Sequence, residues 1–81
     1  MLKDYNKFIE QGFHEADKEL PEDGQEVDLI IRYRYKGKEH YRYDICSYNL
    51  WVKAWVNQFG YPVANADTAI LWREKPVLEA E

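Results

Sequence analysis

His14, His40 and Cys46 are the side chains in this 81-residue chain whose chemistry suits proton transfer, metal ligation or nucleophilic attack. They are isolated from one another in sequence, and the chain has no CxxC, no HExxH, no phosphate-binding glycine loop and no nucleophile elbow. Such spacing builds no reaction centre, so the chain reads as non-catalytic, with no cofactor and no metal. His14 beside Glu15 reads as a surface residue, and His40 between Glu39 and Tyr41 as part of the polar face of a sheet. Cys46 falls inside a strand pattern as a small core or edge residue. A single cysteine forms no internal disulfide, and no apolar run is long enough for a signal peptide or a membrane span, which implies a reducing cytoplasm. The carboxylates of Glu22 and Asp23 invite comparison with a calcium loop. Gly24 directly after Asp23 breaks the alternation of oxygen ligands that such a loop requires, so a solvated acidic turn is expected.

What remains is the chemistry of recognition. The net charge of −4 is unevenly spread: Glu15, Asp17, Glu19, Glu22, Asp23, Glu26 and Asp28 are opposed only by Lys18, whereas Arg32, Arg34, Lys36, Lys38 and Arg42 are opposed only by Glu39. Cations interleaved with tyrosines are the composition of a single-stranded nucleic-acid platform, with charge on phosphates and rings on bases. The plainer reading makes Arg32, Arg34, His40 and Arg42 the solvated face of a two-faced antiparallel sheet. The register expected below favours the plainer reading, because it sends tyrosines and cations mostly to opposite faces, and a stacking platform needs them on one. An acidic chain also attracts phosphate less.

The elements that position these residues centre on 27–48, two alternating runs joined by Lys36-Gly37-Lys38. Val27, Leu29, Ile31, Tyr33 and Tyr35 share one face of the first arm, and Tyr41, Tyr43 and Ile45 one face of the second. A three-residue loop sets Tyr33 opposite Tyr41, Ile31 opposite Tyr43 and Leu29 opposite Ile45, so that the apolar faces coincide. Residues 2–12 predict an amphipathic helix, with Leu2, Tyr5, Phe8 and Ile9 at helical spacing and Gly12 as its stop. Residues 13–26 form an acidic turn segment in which Pro21 presets the backbone and Asp23-Gly24 reverses it. The run 50–57 fits either period; its β-branched and aromatic content favours a third strand with Trp51 and Trp55 on one face. Residues 63–68 read as a polar loop, 69–73 as a fourth strand and 77–81 as a frayed tail. The expected fold is a single α+β domain, one N-terminal amphipathic helix packed on a small antiparallel sheet of three to four strands built around the hairpin.

Two stretches carry a family resemblance. Leu20-Pro21-Glu22-Asp23-Gly24-Gln25-Glu26-Val27 is similar to the "DxLPxxGQxV" turn of a family of small phage and prophage domains of unknown function, with Phe13 at the position of that family's opening tryptophan. Ile70-Leu71-Trp72-Arg73-Glu74-Lys75-Pro76 resembles its "THWxPLP"-like closing strand, with Trp72 and Pro76 in place. Lys18, Leu71 and Glu74 stand where the family has an acid, a histidine and a proline. The resemblance implies a compact α+β or mainly β domain of viral or mobile-element origin, and it supplies no activity.

The resulting expectation is a small phage- or mobile-element-type accessory protein that binds a host or phage protein without catalysis, for instance to inhibit a host defence or nucleic-acid-processing complex. Its candidate surfaces are the acidic turn at Glu22 and Asp23, the basic face of Arg32, Arg34, Lys36, Lys38, His40 and Arg42, and the tryptophans Trp51 and Trp55. A tryptophan left uncovered marks an interface, although a domain this small is first expected to bury both. The alternative is a nucleic-acid-binding module using the basic, Tyr-rich hairpin. Self-association through an edge strand or the helix is a further possibility, and no membrane contact is expected.

Overall fold

The computed structural model describes residues 2–75. Along the chain run α1 (Tyr5–Glu10), β1 (His14–Glu15), β2 (Glu26–Tyr35), β3 (Lys38–Asn49), β4 (Ala54–Val56), β5 (Pro62–Ala64) and β6 (Ala69–Glu74). The strands form one six-stranded sheet in the order β1-β6-β2-β3-β4-β5, antiparallel at every pairing. This overturns the expected α+β arrangement of a helix on three to four strands: the protein is mainly antiparallel β, and its helix is six residues long. The helix starts later than its apolar stripe because Asp4 adopts positive φ and sets the chain's direction there. Strands β1 and β5 were not anticipated, since two or three residues carry too little alternation to be seen against a loop. The tail expected at 77–81 lies outside the described residues.

The chain reverses between β2 and β3 through two residues, not three. Lys36 and Gly37 both hold positive φ, 52° and 75°, the backbone of a type I′ turn, whose twist matches that of the flanking strands. Tyr35 therefore pairs with Lys38, Tyr33 with His40, Ile31 with Arg42 and Leu29 with Asp44, one step away from the expected register. Apolar side chains do lie opposite polar ones. The pairing is tolerated because both faces of the sheet are covered near its centre, while Arg42 and Asp44 pair with each other at 3.3 Å on the β3 side. Coincidence of apolar faces, the criterion used above, holds for a half-buried hairpin and not for a strand buried on both sides.

One buried cluster holds Val27, Leu29, Ile31, Cys46, Ala69 and Trp72, together with Ala16 from beyond β1 and Trp55 and Ala64 from β4 and β5. Residues from both outer ends of the sheet thus meet over the same face, so the sheet curls. A bulge in β6 at Ile70, where the pairing steps from Ile30↔Leu71 to Ile31↔Ala69, turns both Ala69 and Trp72 to this side. The opposite face is smaller: Ile30, Leu71 and Phe13, covered by Leu2, Tyr5 and Phe8 from the N-terminal segment. Tyr5 Oη donates to Glu15 Oε1 at 2.7 Å. Burial and that carboxylate push the Tyr5 hydroxyl up to about 12, while hydrogen bonds from Lys18 and then Tyr5 hold Glu15 below its ordinary value.

Trp72 closes the joint between the final strand and the acidic segment. Its Nε1 donates to Glu19 O at 2.8 Å and its ring lies 4.3 Å from that of His14. In the acidic segment Pro21 is buried, whereas Leu20 before it is 48% exposed. Cys46 is in the core, and burial pushes its thiol from 9.0 up to about 12. The native thiol is therefore expected to resist an aromatic disulfide reagent at mildly alkaline pH and to react only on unfolding; rapid labelling of the native protein would contradict this placement. Because the unfolded chain loses the proton first, stability is expected to fall as pH rises from 9.0 towards 12.

Candidate functional site

The residues with reactive chemistry stay apart. His14 sits on β1 with its Nδ1 against the Glu19 carboxylate, His40 lies near the tip of the β2–β3 hairpin stacked on Tyr33, and Cys46 is buried. Among the described residues no group of His, Cys, Asp and Glu is placed to hold a metal ion, and no helix is long and apolar enough to cross a membrane. The functional candidates are instead the two ends of the β2–β3 pair. The ten residues of β2 span about 30 Å at the usual strand rise.

At one end the acidic turn is locked to the turn that follows β3. Gly24 N donates to Tyr48 O at 3.0 Å, and Leu50 N donates to Asp23 Oδ1 at 3.0 Å. Asp23 is thus a structural acceptor, while Glu22 beside it is exposed. Asn49 Oδ1 accepts from Trp51 N at 2.9 Å and from Val52 N at 3.3 Å, a side-chain-capped turn. Leu50, Trp51 and Val52 project from it in succession, and Trp51 is 91% exposed. Trp55, four residues on, is 1% exposed and packs edge-on to Tyr48 at 5.2 Å. The expectation that 50–57 is one strand with both tryptophans on one face is therefore corrected: residues 50–53 are turn, and only 54–56 are strand.

The same device recurs at Asn57, whose Oδ1 accepts from Phe59 N and Tyr61 N, leaving Phe59 81% exposed. Sequence reasoning missed Phe59 and Tyr61. The available signal was the pair of asparagines, Asn49 and Asn57, each with an aromatic residue two positions later.

At the other end the hairpin outruns the sheet. Pairing of β2 with β6 ends at Ile31, after which Arg32 N still reaches Thr68 O at 2.8 Å, and the pairs from Arg32↔Tyr41 to Tyr35↔Lys38 continue as a two-stranded ribbon. Opposed residues share a face, so the register brings Tyr33, Tyr35, Lys38, His40 and Arg42 together on one side and Arg32, Arg34, Tyr41 and Tyr43 on the other. The expected segregation of tyrosines from cations is overturned. Not all the cations are equivalent: Arg32 reaches the Asp67 carbonyl at 2.5 Å and Glu39 at 3.7 Å, and Arg42 pairs with Asp44. Arg34, Lys36 and Lys38 make no ion pair among the described residues. The Glu39 carboxyl is held below its ordinary value first by the hydrogen bond from Tyr41. An open cleft of about 330 Å³, lined by Arg32, Tyr33, Arg34, Glu39 and Thr68, lies at the base of the ribbon.

Comparison of the chain with known protein families, with curated proteins and with solved structures returned no match. The likeness of residues 20–27 and 70–76 to the phage domain family therefore rests on those residues alone.

Proposed function

We propose that this protein is a small accessory factor, of phage or mobile-element type, that acts without catalysis by docking the Leu50-Trp51-Val52 turn onto a partner protein. The observation that carries the reading is a ring that is 91% exposed on a turn braced by Asn49 and Asp23. A tryptophan carried on a braced turn gives up little backbone freedom on docking, and tryptophan is among the residues that dominate interface energetics. Exposed Glu22 and Asp23 border the turn, so the fitting partner offers an apolar pocket rimmed by Lys or Arg. On this reading the protein works in the cytoplasm, on a component of a host defence or nucleic-acid-processing complex.

The test is affinity capture of tagged protein from host lysate after nuclease treatment and at high salt, with Trp51→Ala alongside the wild type. A discrete protein should survive both treatments and fall at least ten-fold with Trp51→Ala, since an anchor ring is worth about 2 kcal/mol or more. Equal recovery by the variant would remove this turn from the interface.

A further inference from the structure

We infer that the β2–β3 ribbon is a second binding site, remote from the Trp51 turn, and that it takes single-stranded nucleic acid. Each face of the ribbon carries rings and cations side by side because the two-residue turn sets Tyr33 opposite His40 and Tyr35 opposite Lys38. Tyr33 and His40 stack with centroids 5.5 Å apart and planes 27° from parallel, Tyr35 meets the edge of His40 at 6.1 Å, and Lys36 Nζ lies 5.4 Å from the Tyr35 ring centre. Tyr35 is 59% exposed, so its ring retains open surface. A base can stack on it while Arg34, Lys36 and Lys38, which make no ion pair among the described residues, meet the backbone phosphates.

The net charge of −4 does not oppose this. The acidic residues near Glu26 sit at the far end of β2, about 30 Å away by strand rise, whereas the screening length at physiological salt is about 8 Å. On the ribbon itself Glu39 stands opposite Arg34, and Arg34, Lys36 and Lys38 outnumber it at the tip. Single strands are favoured over duplexes because duplex bases already cover one another, leaving the tyrosines nothing to stack on.

Fluorescence anisotropy of labelled oligothymidine, with a duplex of equal length as comparison, tests the inference. Binding should saturate, with log affinity falling against log salt at a slope of about −2, near 0.7 for each of Arg34, Lys36 and Lys38, or roughly 20-fold between about 50 and 200 mM salt. The double variant Lys36→Ala, Lys38→Ala should bring the slope to about −0.7. Tyr35→Ala should weaken binding by roughly ten-fold and leave the slope in place. These residues lie outside both buried clusters, so unchanged melting temperatures will certify that the variants are folded. Absence of saturable binding at about 50 mM salt, indifference to these substitutions, or duplex binding as tight as single-strand binding would each overturn the inference. Trp51→Ala should leave oligonucleotide affinity unaltered, which separates the fate of this site from that of the docking turn.

Discussion

Replacing Trp72 by alanine is expected to cost about 3–5 kcal/mol, the range for truncating a buried aromatic side chain. Three contributions converge on it. The indole is 3% exposed within the larger cluster, it lies 4.3 Å from the His14 ring, and its Nε1 donates to Glu19 O. It thereby fastens β1 and the acidic segment to the centre of the sheet. A chain of this length carries a total stability of about 4–12 kcal/mol, so the variant should lose a large share of it. Followed by circular dichroism, the melting temperature should drop by roughly 15–30 °C. Trp72→Phe keeps a ring but leaves the Glu19 carbonyl without its donor, and should cost less, about 1–3 kcal/mol. An alanine variant that melts with the wild type would show that Trp72 does not close the core.

The second large effect is a contrast. Trp55→Ala should destabilise by about 3–5 kcal/mol, while Trp51→Ala, four residues earlier, should stay within about 0.5 kcal/mol of wild type. Trp55 fills the larger cluster where β4 folds over, against Tyr48; Trp51 projects from a turn. Denaturant unfolding of the two variants measures both numbers, and acrylamide quenching of proteins that keep only Trp51 (Trp55→Phe, Trp72→Phe) or only Trp55 (Trp51→Phe, Trp72→Phe) reports exposure independently. Comparable losses from the two substitutions would mean that 50–57 is one strand after all.

These two tryptophans also show where sequence reading stops. Trp51 and Trp55 carry the same residue type at a spacing that suits a helix or a strand, and what separates them is the Asn49 side chain capping the backbone between them. A cap is a local competitor to strand pairing, and its outcome depends on whether Asp23 is near enough to take Leu50 N, a contact across 27 positions of sequence. The helix was overextended for a related reason. Residues at helical spacing only record that a helix is compatible, and six residues suffice here because Tyr5 and Phe8 are fastened to Phe13, Ile30 and Leu71 by tertiary packing.

What the sequence by itself determined is the long β2–β3 pair, the reversal at Asp23-Gly24, a strand at 69–73 and the separation of acidic from basic charge. Each is written in local alternation, turn residues or composition, which need no distant partner to be read. The tertiary structure decided the register, the insertion of β6 between β1 and β2, and which rings face water. A one-residue slip at Lys36-Gly37 exchanges every facing pair along the hairpin. The choice between the two loops falls to the twist of the paired strands and to burial of both faces of the sheet, which exist only once the distant segments have packed.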